Sequence, residues 1–441
     1  MAIVTNSTLQ GTNLLLHLIK PTVLLTHTNF PQKIITKTIW ILSVVSLFTD
    51  TASEMLYPVM PVFLKHIGFS IILIGILEGV AEAVAGLSKS YFGKLSDISG
   101  KRLPFVQFGY ALSAISKPMM AVFIFPAWIF LSRTIDRMGK GIRTGARDAM
   151  LSDESTIATK ARVFGFHRSM DTLGAVIGPC IALLYLYFNP YDYTTLFLIA
   201  FIPGLLAVIS TFLIREKKGQ KKTTNERTDE QGVIPIATGP INPFSAFWGY
   251  WKASPAAYKK LVSGLLAFAL VNSSDIFLLL KLKESGLSDT SIIGVYIFYN
   301  LVYALVAYPI GIIADKFGLK RILIFGLILF SVVYTGFAFN NDYTIYYLLF
   351  VLYAIYAAAT ESISKAWITN IVDKRDTATA IGTYSGLQSI AALIASSLTG
   401  LLWYNFGAMV SFLIIAGVTL GVVFYLSGMS PATNREVKPS P

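Results

Sequence analysis

Residues 130–147 read FLSRTIDRMGKGIRTGAR, and the interpretation of the whole chain depends on this stretch. Its charged residues recur every three or four positions, so a helix would carry them along one side. They are Arg133, Asp136, Arg137, Lys140, Arg143 and Arg147. The preceding residues 119–131 are almost wholly apolar, so this helix begins as though it were entering hydrocarbon. Ionised side chains at bilayer depth cost about 3 kcal/mol each even on the mildest scale, and they therefore face a protein interior or a watery cavity.

We interpret the stretch as a candidate functional site on a membrane helix. Gly139, Gly141 and Gly145 in the same stretch would let a neighbouring backbone approach closely. A cytosolic loop is the alternative interpretation, and residues 145–154 do resemble a loop.

The composition identifies an integral membrane protein. Of 441 residues, 54% are hydrophobic and 14% charged, whereas about a quarter of the residues in soluble domains are charged. At about 20 apolar residues per crossing, the hydrophobic runs predict twelve helices. We place them at residues 39–63, 71–92, 104–123, 126–148, 161–188, 192–214, 260–281, 290–313, 320–338, 343–368, 377–402 and 407–428.

The net charge of +12 reflects membrane topology and does not indicate nucleic-acid binding. Lysine and arginine cluster in alternate short loops and in the middle segment, and the opposite loops are nearly free of them. This asymmetry predicts an inner-membrane protein with both termini in the cytoplasm. Cys180 is the only cysteine, so the chain can form neither an internal disulfide nor a thiolate metal cluster.

Acidic residues lie inside the first two predicted helices. Asp50 and Glu54 are one turn apart in the first, and Glu78 and Glu82 are one turn apart in the second. By depth they would meet near the midplane, opposite Arg133 and Arg137 of the fourth helix. Two roles remain open, namely buried ion pairs that fix helix packing and proton sites.

The fifth helix adds a further charged set. His167, Arg168 and Asp171 are spaced so that Asp171 shares a face with each of the other two. Histidine is a ready proton carrier, although a histidine inside a membrane can also serve only as a hydrogen-bonding packing residue.

Two loops repeat at equivalent positions. Residues 93–102 read GKLSDISGKR, and residues 311–321, GIIADKFGLKR, follow the second helix of the other half. The pattern Gly-x-Leu-x-Asp-x-x-Gly-Lys-Arg resembles the signature of the major facilitator superfamily. The resemblance covers residues 39–428 and implies an all-α membrane protein with two pseudo-symmetric six-helix bundles.

In that superfamily the signature loop is a conformational latch. The resemblance therefore predicts a latch role for matching positions, with the two aspartates pairing with basic groups at the cytoplasmic ends of neighbouring helices. These positions are Gly93, Asp97, Gly100, Arg102, Asp315, Gly318 and Arg321. The predicted domains are a cytoplasmic tail (1–38), an N-terminal bundle (39–214), a cytoplasmic linker (215–259), a C-terminal bundle (260–428) and a second cytoplasmic tail (429–441).

The fifth helix also resembles the antiporter motif Gly-x-x-x-Gly-Pro-x-x-Gly-Gly, because Gly174, Gly178 and Pro179 match it. The final glycine pair is missing, and a Gly/Pro kink explains the same residues. The second half retains few intramembrane polar residues, among them Asn272 and Gln388, and it is rich in tyrosine. We expect it to supply stacking and hydrogen-bonding surface.

These observations predict a secondary active transporter, since the chain shows no phosphate-binding loop, zinc spacing or Ser-His-Asp set. We expect no enzymatic activity, cofactor or metal. The expected partners are a small-molecule substrate, protons and the lipid bilayer, with the protein acting as a monomer.

The predicted cargo is a polar or anionic solute. Four arginines would face it, because arginine binds carboxylates bidentately. The predicted substrate-binding residues are Arg133, Arg137, Arg143, Arg168, Asn272 and Gln388. The predicted proton-coupling residues are Asp50, Glu54, Glu78, Glu82, Asp136, His167 and Asp171. The resemblance suggests an organic acid or a ferric carboxylate siderophore as cargo. A multidrug/proton antiporter and a non-transporting membrane sensor are the alternatives.

Overall fold

The computed structural model describes residues 34–57, 59–215 and 243–429, in which the regular secondary structure is helical and no strand is present. The first half consists of α1 (Lys37–Leu56), α2 (Met60–His66), α3 (Ile71–Ser99), α4 (Leu103–Val122), α5 (Pro126–Asp153), α6 (Lys160–Phe188) and α7 (Tyr193–Thr211). The second consists of α8 (Pro243–Ala253), α9 (Ala256–Ala269), α10 (Ile276–Glu284), α11 (Asp289–Phe317), α12 (Leu319–Phe339), α13 (Tyr343–Ile371) and α14 (Thr377–Ser427). The prediction of an all-α, two-bundle membrane protein is confirmed.

The first span of each half is interrupted, where the sequence predicted one continuous helix. In the first half, α1 ends at Leu56 and α2 begins at Met60. In the second, α9 ends at Ala269 and α10 begins at Ile276. The last two spans are both part of α14, which is interrupted at Gly407 by a backbone φ of 80°.

The prediction of a loop at residues 145–154 is wrong, because α5 continues to Asp153. Gly145 and the residues after it stay helical since they pack between other helices, and Ala146, Asp148 and Ala149 are completely buried. The prediction failed because a polar, glycine-containing stretch is typical of a loop only where it meets solvent.

Seven of the described helices are long and apolar enough to cross a bilayer by length and composition. Helix α5 is not one of them, because its charged face lowers its hydropathy. It is surrounded by other helices, with α4 on one side and α3 on another. The surrounding protein thus shields α5 from lipid.

Within the first half, α1 packs on α6 and α7, and α4 packs on α5 and α7. Within the second half, α12 packs on α13 and α14, and α11 packs on α13. The two halves meet mainly along two helix pairs, α3 with α14 and α6 with α11. Helix α8, which falls inside residues 215–259, also contacts α3 and α14.

We call the end that carries residues 93–102 and 311–321 the latch end. Cross-half contacts along α3 run from Asp97, which binds Thr379, to Gly86, which approaches Ser389. Eleven residues of helix correspond to roughly 16 Å. The halves are therefore closed against each other over about half of a membrane thickness at the latch end.

Glycines permit this close approach. A Cβ atom added to Gly311 of α11 would lie 2.5 Å from the carbonyl oxygen of Ala161 on α6, and one added to Gly93 of α3 would lie 2.5 Å from that of Ala378 on α14. Both neighbours are backbone atoms of the opposite half, so the helices would have to separate to accommodate a side chain.

Replacing Gly311 with alanine is expected to destabilise the protein by about 1–3 kcal/mol, the usual cost of overpacking. Gly417 is the matched control, because a Cβ there would meet nothing within 4 Å, and Gly417→Ala should be neutral or slightly stabilising. Thermal unfolding of the purified protein measures both. Equal transition temperatures for the two variants would contradict close packing at Gly311.

Candidate functional site

A recess between α1 and α5 contains the charged stretch of α5. Nine residues line it: Asp50, Ser53, Glu54, Tyr57, Arg133, Asp136, Arg137, Lys140 and Arg143. Its cavity volume, taken as the space open to the centres of water-sized molecules, is about 20 Å³. Four of the nine are basic and three are acidic, so the recess is lined almost entirely by polar groups.

The 3.6-residue period of α5 explains how these side chains converge. Arg133, Arg137 and Lys140 follow one another at one turn each, and Arg143 is three residues further along. Gly139 permits the packing behind them, because a Cβ there would lie 2.6 Å from the carbonyl oxygen of Gly109 on α4. The predicted close approach at the α5 glycines is thus present.

The negative charge of Asp136 is offset by a lysine that lies outside the recess. Lys117 of α4 is almost fully buried, and its Nζ lies 2.7 Å from Asp136 Oδ1. Arg133 also approaches the same carboxylate, with Nη1 3.8 Å from Oδ2. Because Lys117 does not line the recess, it offsets the charge of Asp136 without occupying space there. The recess therefore has a larger positive excess than its lining residues alone suggest.

The remaining cations of the recess are less completely neutralised. Arg137 Nε lies 3.8 Å from Glu82 Oε2 of α3, a carboxylate that is partly exposed. Arg143 donates to Ser113 Oγ at 2.6 Å and stacks over Tyr110 with Cζ 4.6 Å from the ring centroid. In the described part of the chain Arg143 Nε has no hydrogen-bond partner. Lys140 is exposed to the recess.

A second charged cluster joins the two halves between the recess and the latch end. Asp148 of α5 is completely buried and binds Arg147 at 2.9 Å and Lys365 of α13 at 2.8 Å. Asp171 of α6 accepts from Ser46 Oγ at 2.5 Å and pairs with Arg168 at 2.9 Å.

Arg168 extends this cluster across the boundary between the halves. Its guanidinium pairs with Glu361 of α13 and donates from Nε to the Tyr303 hydroxyl of α11 at 2.8 Å. His167 is buried beside these groups, and its Nε2 has no hydrogen-bond partner among the described residues. The cluster therefore contains ion pairs that must break if the halves separate there.

The latch aspartates both bind backbone N–H groups of the opposite half. Asp97 accepts from the N–H groups of Ala378 and Thr379 near the start of α14, and it pairs with Arg102 at 2.9 Å. Burial raises the pKa of Asp97 to about 6, although Arg102 and these donors act in the other direction.

Asp315 makes the pseudo-symmetric contact. Its carboxylate accepts from the N–H groups of Ala161 and Arg162 near the start of α6 and pairs with Arg162 Nε at 2.8 Å. In each half a carboxylate from the latch loop thus binds the positive end of a helix in the other half. Gly100 and Gly318 have φ values of 62° and 98° and complete the turns, whereas Arg321 lies near the start of α12.

The predicted site residues divide into five groups. Asp50, Glu54, Arg133, Asp136, Arg137 and Arg143 line the recess. Glu82 contacts it through Arg137, and His167, Arg168 and Asp171 lie in the second cluster. Asn272 and Gln388 are partly buried in the second half and are not lining residues. The side chain of Glu78 lies outside the described part of the structure.

No role was predicted from the sequence for several charged residues that the structure places between packed helices. Lys89 of α3 is buried and donates to Ser389 Oγ of α14 at 2.8 Å, and Lys117 and Asp148 form the buried pairs above. Asp148 was missed because its surroundings were interpreted as a loop. The signal for Lys89 and Lys117 was present, since a lysine inside a membrane helix requires a polar partner.

Comparison with known proteins confirms the resemblance seen in the latch loops. The family model of the Major Facilitator Superfamily matches residues 42–298 and 276–441. An uncharacterized MFS-type transporter of Methanocaldococcus jannaschii is 30% identical over 377 residues, which are 84% of this chain and 89% of that protein.

Two further proteins are similar over different extents. The quinolone resistance protein NorA of Staphylococcus aureus is 29% identical over 169 residues, 38% of this chain and 42% of NorA. The crystal structure of the human organic anion transporter MFSD10 has a similar fold, with a TM-score of 0.71 at 16% identity over 88% of this chain and 98% of that one.

The Lys117–Asp136 pair is expected to be required for folding. Lys117→Met would leave the charge of Asp136 incompletely neutralised in a low-dielectric site, and it should destabilise the protein by about 3–5 kcal/mol. The double variant, Lys117→Met with Asp136→Asn, removes both charges and should recover most of that loss. Thermal unfolding tests this, with Lys101→Met in an exposed loop as the matched control. If the double variant is no more stable than the single one, the pairing does not explain the buried charges.

Proposed function

Because the chain belongs to the Major Facilitator Superfamily, we propose that it is a secondary active transporter that moves a small organic anion together with protons by alternating access. The observation that supports this proposal most directly is the recess, where Arg133, Arg137, Lys140 and Arg143 present positive charge beside open space. A fixed cation with an unused hydrogen-bond donor at bilayer depth, such as Arg143 Nε, is stabilised when an anion enters.

The proposed cargo is small and carries carboxylate or similar oxygen acceptors. A guanidinium offers paired donors that match the two oxygens of a carboxylate, and the ammonium of Lys140 adds a point charge. Apart from Tyr57 the lining residues are polar or charged, so an apolar cargo would leave charged groups desolvated without compensation. Organic acids and ferric carboxylate complexes fit this chemistry.

We assign proton coupling first to Asp50 and Glu54. Both line the recess, and Asp50 lies within electrostatic range of Asp171 in the second cluster. Carboxylates this close together favour sharing protons over full ionisation. Protonation of Asp50 would therefore change the charge balance of the recess and of the cross-half ion pairs together.

The latch contacts supply the proposed gate. Asp97 and Asp315 hold the latch end closed, and the ion pairs of Arg168 and Lys365 continue this closure towards the recess. From the distribution of lysine and arginine we place the latch end in the cytoplasm of an inner-membrane protein, with both termini on that side. The contacts then correspond to a state that faces outwards, and the proposed transporter works as a monomer of two rocking bundles.

Transport by purified protein in proteoliposomes tests the cargo class. With an acidic exterior, we expect uptake of one or more radiolabelled mono-, di- or tricarboxylates or of ferric citrate. Arg137→Gln should lower that uptake about 10- to 100-fold, since a charge-assisted hydrogen bond contributes about 1.5–3 kcal/mol. Arg137→Lys keeps the charge and should retain more uptake than Arg137→Gln. If no organic anion is taken up or exchanged, the anion proposal is wrong.

The same vesicles test the proton site. In Asp50→Asn, exchange of cargo between the two sides should persist, whereas uphill accumulation driven by the proton gradient should be lost, because the asparagine cannot carry a proton. A pH-sensitive dye inside the vesicles measures the proton flux. The control is Glu284→Gln, which removes the charge of an exposed glutamate at the end of α10. Proton flux unchanged in Asp50→Asn would exclude Asp50 as the carrier.

A multidrug/proton antiporter is the second candidate. It is favoured by the similarity to NorA over 169 residues and by the buried tyrosines of the second half, such as Tyr299, Tyr353 and Tyr356. The observation that separates the two is the response to lipophilic cations. Dissipation of a preset proton gradient by such compounds, with no response to organic anions, would favour export of drugs over the anion carrier.

A further inference from the structure

The interruption between α9 and α10 lies within the first span of the second half. Residues 270–275 separate α9 from α10, and they include Asn272, Ser273 and Asp275. The last carbonyls of α9 lie at this interruption, and those of Leu266 and Phe268 already accept from the N–H groups of residues 270–272. They give that end a partial negative charge.

Two side-chain acceptors in the interruption have unused capacity. Asn272 Oδ1 is buried and has no hydrogen-bond partner among the described residues. The carboxylate of Asp275 accepts from the Tyr353 hydroxyl at 2.6 Å and interacts with its own backbone N–H group. An unpaired amide oxygen and a carboxylate at bilayer depth are each unfavourable unless something positive binds them.

No lysine or arginine of the described chain forms an ion pair with Asp275. Arg168 lies within electrostatic range of it, but the guanidinium is already bound to Asp171 and Glu361. The arrangement therefore differs from the first half, where every buried carboxylate named above has a basic partner or faces the recess.

The surroundings of Asp275 also favour a positive charge. Tyrosines 296, 299, 303, 334, 353 and 356 all lie within electrostatic range of it. Tyrosine rings present a negative face and their hydroxyl oxygens can accept. Tyr296 connects this region to the recess, because its hydroxyl lies 3.5 Å from Glu54 Oε2.

We propose that the interruption between α9 and α10 binds a sodium ion, with Asn272 Oδ1 and a carboxylate oxygen of Asp275 as ligands. Interrupted membrane helices offer unwound carbonyls and a negative helix end to such ions. Hard cations take oxygen ligands, including amide and backbone carbonyls. The described residues contain no group of three or more His, Cys, Asp or Glu suited to a transition metal.

The amide of Asn272 distinguishes sodium from a proton. A proton on Asp275 would satisfy the carboxylate but would leave Asn272 Oδ1 without a partner, whereas a metal cation can bind both. The rings around Asp275 are closely packed, with Tyr299, Tyr334 and Tyr353 at most 5% exposed. This packing favours a single ion over a bulky organic ammonium.

Binding of sodium in the absence of cargo tests the proposal independently of the proposed transport function. Purified full-length protein is titrated with NaCl at constant ionic strength, with choline chloride as the replacement salt, and thermal unfolding is recorded. A ligand at 100 times its Kd stabilises by about 2.7 kcal/mol, so we expect a saturable rise in the transition temperature of about 2 °C or more. Binding of radioactive sodium measures the same site directly.

Three variants locate the ion. Asp275→Asn should abolish the sodium-dependent shift, and Asn272→Leu should raise the half-saturating sodium concentration about tenfold or more, since it removes one charge-assisted contact. Glu284→Gln is the matched control and should retain the wild-type response. Tyr353→Phe removes the hydroxyl that binds Asp275 and also contacts Tyr334, and it should retain sodium binding. A purely structural role for Asp275 would make Tyr353→Phe and Asp275→Asn equally harmful.

The proposal is overturned by any of three results: no response of the wild-type protein to sodium, an equal response to choline or potassium, or an undiminished response in Asp275→Asn. A transition that responds to pH alone would assign a proton to Asp275 and would likewise overturn it. If Asp275→Asn does not fold, binding of radioactive sodium to the wild type and to Asn272→Leu decides the question.

Discussion

The high cost of an ionised side chain away from water determines the arrangement of the first half. Helix α5 carries Arg133, Asp136, Arg137, Arg143, Arg147 and Asp148 into the bilayer, and each of them pairs with an acid or a base, stacks on an aromatic ring or faces open space. Lys117 neutralises Asp136 from behind, while Lys365 neutralises Asp148 from the other half. The charges that remain beside the recess are mainly positive, and we propose that these bind the cargo.

The same requirement couples the two halves. Asp97 and Asp315 each bind the start of a helix in the opposite half, so the latch end is held by two related contacts. Arg168 and Lys365 add ion pairs across the same boundary, nearer to the recess. These charged groups are buried between the halves in this state. In the state with the latch end open, water would surround them, which would lower the free-energy difference between the two packings of the halves. We therefore propose that charge serves both binding and motion in this fold.

Much of the fold followed from the sequence, because most spans are long apolar runs and the latch loop occurs twice. Five of the six charged residues assigned to one face of α5 line the recess, as a period of 3.6 residues predicts, whereas Arg147 binds Asp148 in the second cluster. The extension of α5 beyond residue 148 to Asp153 and the interruption at residues 270–275 were not predicted. Both depend on neighbours that are distant in sequence: α14 packs against Gly145, and Ser396 binds the backbone N–H of Ser274. The partner of each buried charge was unpredictable for the same reason, because the Lys365–Asp148 pair joins residues 217 positions apart.

The central claim is that the charged face of α5 lines a water-filled recess accessible from one side of the membrane. Reactivity of a thiol at Lys140 tests it most directly. In a Cys180→Ser background, Lys140→Cys should react rapidly with a membrane-impermeant thiol reagent added at the side away from the latch end, and organic anions should slow the reaction. A thiol at that position that remains unreactive from both sides would show that no such recess exists.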